Sequence, residues 1–355
     1  MARSAPAGWR WPQAHAVRAA RHLLTARAPD RPHPPDLVAE RVAGLQAQVD
    51  RVPALSVLAR GGAAGADAGW SNLVRTWAMR GTLHLVPETE IAHYAAALGD
   101  SIAARETRLW PRRGVEASAE DRLNDAMIQA LRAGPLGRRE LAGQVGALLG
   151  APYRTLLEHP WGIGLKPAVA RGLLRLRGSG TEITLSLPPT PPAPVEVAAA
   201  QRWLAGKYLT ANVFGTPAAF AAWSGLPAAA ARRALAAADE GPVTIEGTAY
   251  AHAGPLDAGI EDDHLTLLPE FDPYLLAVAD KDGFCGDDRT LLYRKGGWVS
   301  ATVLRAGMPI GTWKLRDRRS GRIEFAPMTG WSAALRRRVE QQAGRFTDFL
   351  TTERT

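Results

Sequence analysis

Three times along this chain a run of helical periodicity gives way to a short stretch that alternates residue by residue. A helix buries residues every three or four positions and a strand every second one, so each switch marks helices closed by a strand or hairpin. In the first repeat, Trp11, Ala14, Val17, Ala20, Leu23 and Leu24 mark a helix over 9–27. After a proline-rich break, Asp36 is placed to cap a second helix running through Leu45. Pro53 interrupts, and 54–60 read as another short helix. Val74, Thr76 and Ala78 then alternate with Arg75, Trp77 and Met79 around Gly81, a strand or hairpin over 74–86. The second repeat has helices at 88–108, 118–132, a short one opening at Leu136, and 166–176, then an alternating strand over 181–187. The third is shorter. It has helices at 195–209, after Thr216-Pro217, and at 227–238, then a hairpin over 243–250 turning at Glu246-Gly247. Helices closed by a β-hairpin are the plan of a winged helix, so three such units are expected.

Residues 188–194 (Pro-Pro-Thr-Pro-Pro-Ala-Pro) read as a stiff extended linker. From His264 the texture changes to short alternating strands at 264–268, 290–294, 297–305, 308–316 and 321–325, with turns at Ala306-Gly307 and Ser320-Gly321. Five short antiparallel strands suggest a small barrel, followed by a helix over about 331–350. The expected class is α+β. The expected divisions are 1–87, 88–190 and 191–256 for the winged helices and 257–355 for the barrel.

Charge narrows the partner. The chain carries +8 overall, and residues 289–345 hold thirteen Lys and Arg against only Asp317, Glu324 and Glu340. Arg316, Arg318, Arg319 and Arg322 crowd one hairpin tip, where like charges repel unless a polyanion compensates them. A solvated edge that resists aggregation is the plainer reading of the same cluster. The one cysteine, Cys285, excludes an internal disulfide framework and a cysteine-based zinc site, and the scattered histidines show no metal-ligand spacing. No apolar run reaches membrane-spanning length and no signal-peptide core is present, so a cytoplasmic protein without metal or cofactor is expected.

Two glutamines, Gln46 and Gln48, stand out at the end of the second helical segment. Within a helix they would point about 200° apart. In extended chain they face one way, and their carboxamides offer acceptors and donors enough to hold a water molecule. The plainer reading is a hydrogen-bonded helix end. A carboxamide is no general base, so such a pair hydrolyses only a bond whose leaving group departs easily. N7-alkylated guanine is one: it carries a positive charge and leaves as a neutral base through an oxocarbenium-like transition state. Thr82 and His84 share one strand face by the same arithmetic. There the alternatives are a contact to phosphate or water and a satisfied, half-buried histidine.

Gln-Ala-Gln at 46–48, Met-Arg-Gly-Thr-Leu-His-Leu-Val at 79–86 and Leu-Leu-Pro-Glu-Phe-Asp-Pro-Tyr at 267–274 together resemble the AlkZ family of winged-helix DNA glycosylases over most of the chain. The resemblance implies three winged-helix units and a C-terminal β-barrel in a C-shaped clamp. It implies release of N7-alkylguanine lesions, bulky natural-product adducts and interstrand crosslinks included. The water-positioning chemistry, with no lysine nucleophile, predicts a monofunctional glycosylase, and a monomer acting on double-stranded DNA is expected. By it, Gln46 and Gln48 position the water, Thr82 and His84 support the site, and Arg316, Arg318, Arg319 and Arg322 engage the DNA groove. A glutamine at 48, where a sister branch has aspartate, is similar to the branch linked to antibiotic self-resistance.

Two competitors remain. A winged-helix DNA-binding regulator would read bases through helices 166–176 or 227–238, but the second is mostly alanine. A carboxylate hydrolase would pair Glu270 with Asp272 as acid and base, though two flanking prolines favour simple turn chemistry.

Overall fold

The computed structural model describes residues 8–24, 31–65, 69–178, 182–256, 263–317, 320–328 and 330–352. They form two compact units, one from Met1–Trp70, Gly206–Phe220 and Leu235–Thr355, the other from Ser71–Ala205 and Ala221–Ala234. The fold is α+β, and among the described residues the paired strands within each unit run antiparallel, apart from single parallel bridges at Trp9–Ile245 and His33–Gly62.

In the first unit, four strands run in the order Leu265–Leu268, Thr302–Arg305, Met308–Asp317, Arg322–Pro327. This sheet is open, whereas five strands and a closed barrel were expected. Residues 290–294 do not form a strand: Arg289–Leu292 is helical, and the next strand begins only at Thr302. The reason for the open edge lies in what covers the sheet. The helix Ala333–Thr352 lays Val339, Ala343 and Phe346 against Leu265, Val303 and Trp313. An apolar face covered by a helix has no need of closure to leave water. The Ala306-Gly307 turn is as expected, with φ of 48° and 80°.

The N-terminal helix Trp11–Arg21 is buried along one face, and two of its polar side chains, His15 and Arg18, go inside with it, joined by His22 just past its end. His15 sits among aromatics, stacked on Trp11 at 5.5 Å and tilted against Phe284 at 4.8 Å. Arg18 lies over the Tyr274 ring at 3.8 Å and donates to Asn212 Oδ1 at 3.1 Å and to the Tyr274 carbonyl. His22 meets the same Asn212 oxygen at 3.2 Å. A three-stranded sheet, Phe214–Gly215, Thr248–His252 and Val243–Ile245, packs beside them, and its Glu246-Gly247 turn has the two positive φ values the hairpin requires.

In the second unit, the hairpin of Leu73–Trp77 and Leu83–Pro87 joins Arg175–Arg177 and Thr184–Ser186 in one sheet, with Leu136–Gly137 at its edge. Arg75 pairs with Leu176 across the join. The helix expected over 166–176 covers only Lys166–Ala170, because Gly172 takes a φ of 73° and turns the chain into the strand. Residues 187–196 carry no regular structure, as a proline-rich linker should. Pro192 nevertheless packs on Gly172, where an added Cβ would stand 2.8 Å from its ring.

Candidate active site

The helix Pro35–Arg41 stops short of the glutamines, four positions before the expected end at Leu45. Ala43 and Gly44 both take left-handed conformations, φ 57° and 97°, and the Gly44 N–H returns to the Ala39 carbonyl at 2.7 Å. The chain emerges extended over Leu45–Gln46. Leu45 and Ala47 are fully buried and anchor the segment, Gln46 is 4 % exposed, and Gln48 faces solvent. The Gln46 carboxamide oxygen accepts the backbone N–H of Gln48 at 3.1 Å. The first glutamine's head is therefore held beside the second by the chain itself.

What holds this segment is the helix that follows, Val52–Ala59, with Arg51 at its start and Arg60 at its end. Both arginines reach the Pro-Glu-Phe-Asp-Pro turn. Arg51 pairs with Glu270. Arg60 forks onto Asp272, Nη1 to Oδ2 at 2.9 Å and Nη2 to Oδ1 at 2.8 Å. Ser56 Oγ donates to Asp272 at 2.7 Å, and the Tyr274 N–H at 2.9 Å, so this carboxylate also caps the helix Pro273–Leu276. Phe271 takes a φ of 58° between the two acids, and this left-handed kink sends them to different partners. Glu270 and Asp272 are thus a clamp on the helix after Gln48, as the turn reading holds and the acid–base pair does not. Sequence reasoning missed Ser56, Arg51 and Arg60 in this role, since no short-range spacing links them to residues over 200 positions away.

Thr82 and His84 belong to the other unit. There the hairpin turns through Arg80 and Gly81, with φ of 59° and 69°. Thr82 Oγ1 closes the turn on the Met79 carbonyl at 3.1 Å. His84 is buried, and its Nδ1 lies 2.9 Å from the Thr82 carbonyl. A carbonyl only accepts, so Nδ1 carries the proton and Nε2 is left as an acceptor. Burial first, then Arg80, push the imidazole down to about 3 against the support of the Thr82 carbonyl. It is neutral at physiological pH and brings no charge to a phosphate. Arg80 itself is pushed down to about 10 by burial and donates to the Trp223 carbonyl at 2.9 Å.

On the basic hairpin of the first unit, Lys314 faces Glu324 and Asp317 faces Arg322 across the strands. Arg316 pairs with Glu324, whose carboxyl is held below the usual range by that hydrogen bond. Gly321 anchors the turn, its carbonyl accepting from Thr347 Oγ1 of the last helix at 3.2 Å. Arg318 and Arg319 lie outside the described residues. Elsewhere in 289–345 the charge is partly spent internally, Arg289 on Asp282 and both Arg305 and Arg338 on Asp263.

The geometry can be set beside known proteins. The family model of AlkZ-like DNA glycosylases matches residues 39–349. The chain belongs to that family. The match takes in the Gln-x-Gln segment, the Thr-x-His turn, the double-ended clamp and the basic hairpin. The chain is similar to an interstrand DNA cross-link repair glycosylase of Streptomyces sahachiroi, 29% identical over 333 residues that cover 86% of this chain and 88% of that protein. Its fold is similar to the solved structure of the Streptomyces sahachiroi DNA glycosylase AlkZ, with a TM-score of 0.80 at 24% identity over 96% of this chain and 97% of that one. As a member of the AlkZ-like family, the chain is a DNA glycosylase, an enzyme acting on N-glycosyl bonds. No described helix is long and apolar enough to cross a membrane.

Proposed function

We propose that this glycosylase hydrolyses the N-glycosidic bond of N7-alkylguanine in double-stranded DNA, with Gln46 and Gln48 positioning the water. The observation that carries this reading is the Gln46 carboxamide fixed on the Gln48 N–H beside an exposed second carboxamide, on a segment anchored by buried Leu45 and Ala47. Two such groups orient water without being able to take its proton fully. That suffices where the C1′–N9 bond breaks ahead of attack, because its electrons neutralise the positive charge already on the base. Water then adds to C1′ and its proton passes to solvent. Thr82 and His84 are assigned the supporting role, favoured by an imidazole that is neutral and has Nε2 left to accept. Arg316, Arg318, Arg319 and Arg322 are assigned to the DNA backbone.

The substrate reading extends to bulky adducts and interstrand crosslinks, because the similar Streptomyces protein is named for crosslink repair, and glutamine rather than aspartate at position 48 extends it to self-resistance against a DNA-alkylating natural product. The deciding experiment incubates the protein, with EDTA present, on an oligonucleotide carrying one N7-methylguanine, then treats it with alkali. Strand cleavage at the lesion only after alkali is expected, and Gln46→Ala with Gln48→Ala should abolish it while DNA binding survives. Undiminished release by the double variant sinks the assignment. If neither N7-methylguanine nor a bulky N7 adduct nor a crosslink is processed, the chemistry proposed for the site is wrong.

A further inference from the structure

The first unit contains a cavity of about 300 Å³ whose wall begins at Arg51, three positions after Gln48. Chain geometry puts those two Cα atoms within about 10 Å of each other. Trp298 stands at the mouth with 44 % of its surface exposed, and buried Trp313 forms part of the floor. Arg294 and Lys314 line the same cavity, and neither has an ion-pair partner among the described residues. Glu270, whose charge Arg51 already meets, supplies the acidic edge.

The backbone shows that Arg294 and Trp298 are presented together. The Arg294 N–H bonds the Trp298 carbonyl at 2.8 Å across a tight loop, and Gly296 and Gly297 take φ of 74° and 77° to close it. Phe271 braces the indole edge-on at 4.9 Å. An exposed aromatic side chain beside Arg294 and Lys314, neither in an ion pair among the described residues although Lys314 faces Glu324 across the strands, suits a flat ring attached to a phosphate. The volume lies at the small end of ligand sites, which admits one such group.

We propose that this cavity is a subsite for one unpaired nucleotide of the DNA, its base stacked on Trp298 and its phosphate met by Arg294 and Lys314. Stacking of a base on an aromatic side chain changes affinity roughly tenfold or more. The proposal rests on the chain acting on DNA. It does not depend on the role given to Gln46 and Gln48, because its readout is binding and theirs is base release.

The test compares a short, undamaged, labelled duplex with the same duplex carrying one extra unpaired thymidine. Wild-type protein is expected to bind the bulged duplex about tenfold more tightly. Trp298→Ala should erase that preference while shifting affinity for the paired duplex less than about twofold, and Trp298→Phe should restore most of it. Arg294→Ala with Lys314→Ala should weaken the bulged complex more than the paired one. Equal binding of the two duplexes by wild type overturns the proposal, as does a preference that persists in Trp298→Ala.

Discussion

Arg60 and Asp272, 212 residues apart in sequence, meet in a two-point ion pair with both side chains fully shut off from solvent. Ser56 and the Tyr274 N–H complete the carboxylate's hydrogen bonding. Breaking such a pair strands a buried charge, which costs about 3–5 kcal/mol. Asp272→Ala should lower unfolding stability by that order in urea titrations. A double-mutant cycle with Arg60→Met should show strong coupling, because removing both charges spares the stranded one. Additive effects would mean the pair holds nothing. Base release should fall as well, since the same helix follows Gln48.

Gly225 has a φ of 81°, and a Cβ there would stand 3.0 Å from the Arg80 Cα. Backbone does not yield as a flexible side chain does. Gly225→Ala should therefore destabilise by about 2 kcal/mol, from the left-handed conformation and the crowding together. Thermal unfolding measures it, and an unchanged midpoint would contradict the close packing on the Arg80 turn.

His15, His22 and His84 are buried and held below their usual range, each by burial first and then by a neighbouring arginine. Their folded values lie under the unfolded value, so the fold is at full strength above about pH 6.5 and loses stability as pH falls from there through the folded values. Denaturation at pH 7.5, 6 and 5 should show that decline. His15→Phe should flatten part of it, and should add about 1 kcal/mol at neutral pH, because among the described residues neither ring nitrogen of His15 has a hydrogen-bond partner. Base release on an N7-methylguanine duplex should, by contrast, keep one single-turnover rate from pH 6 to 8, since carboxamides do not titrate and His84 stays neutral. A bell-shaped profile would point to acid–base chemistry.

Among the described residues, exposed Arg322 is in no ion pair, though it faces Asp317 across the strands and acts on Glu324 at longer range, whereas Arg316 is engaged directly by Glu324. If the hairpin contacts phosphates, Arg322→Ala should reduce the slope of log K against log salt by about 0.9, the share of one phosphate. Arg316→Ala should reduce it less, because its charge is half-spent before DNA arrives. Identical slopes in wild type and both variants would remove the hairpin from the interface.

What the sequence determined by itself was local. Period, proline and glycine marked helices and hairpins, though not the helix ends expected at Leu45 and Leu176 or the strand expected over 290–294: Thr216 caps the helix Pro217–Ser224 through the Ala219 N–H at 3.1 Å, and Ala306-Gly307 and Glu246-Gly247 turn as their chemistry requires. The family likeness was legible too, because Gln-x-Gln, Thr-x-His and Pro-Glu-Phe-Asp-Pro are short contiguous strings. Tertiary structure decided whatever depends on a distant surface. The glutamine segment is extended because Ala43, a non-glycine residue, takes a left-handed φ that propensity does not announce. The C-terminal sheet stays open because a helix from residue 333 onward covers its face. Glu270 and Asp272 look like a catalytic pair when only their spacing is known. Arg51 and Arg60, brought to them by the fold, make them a clamp, because a buried carboxylate takes its role from the charge that faces it.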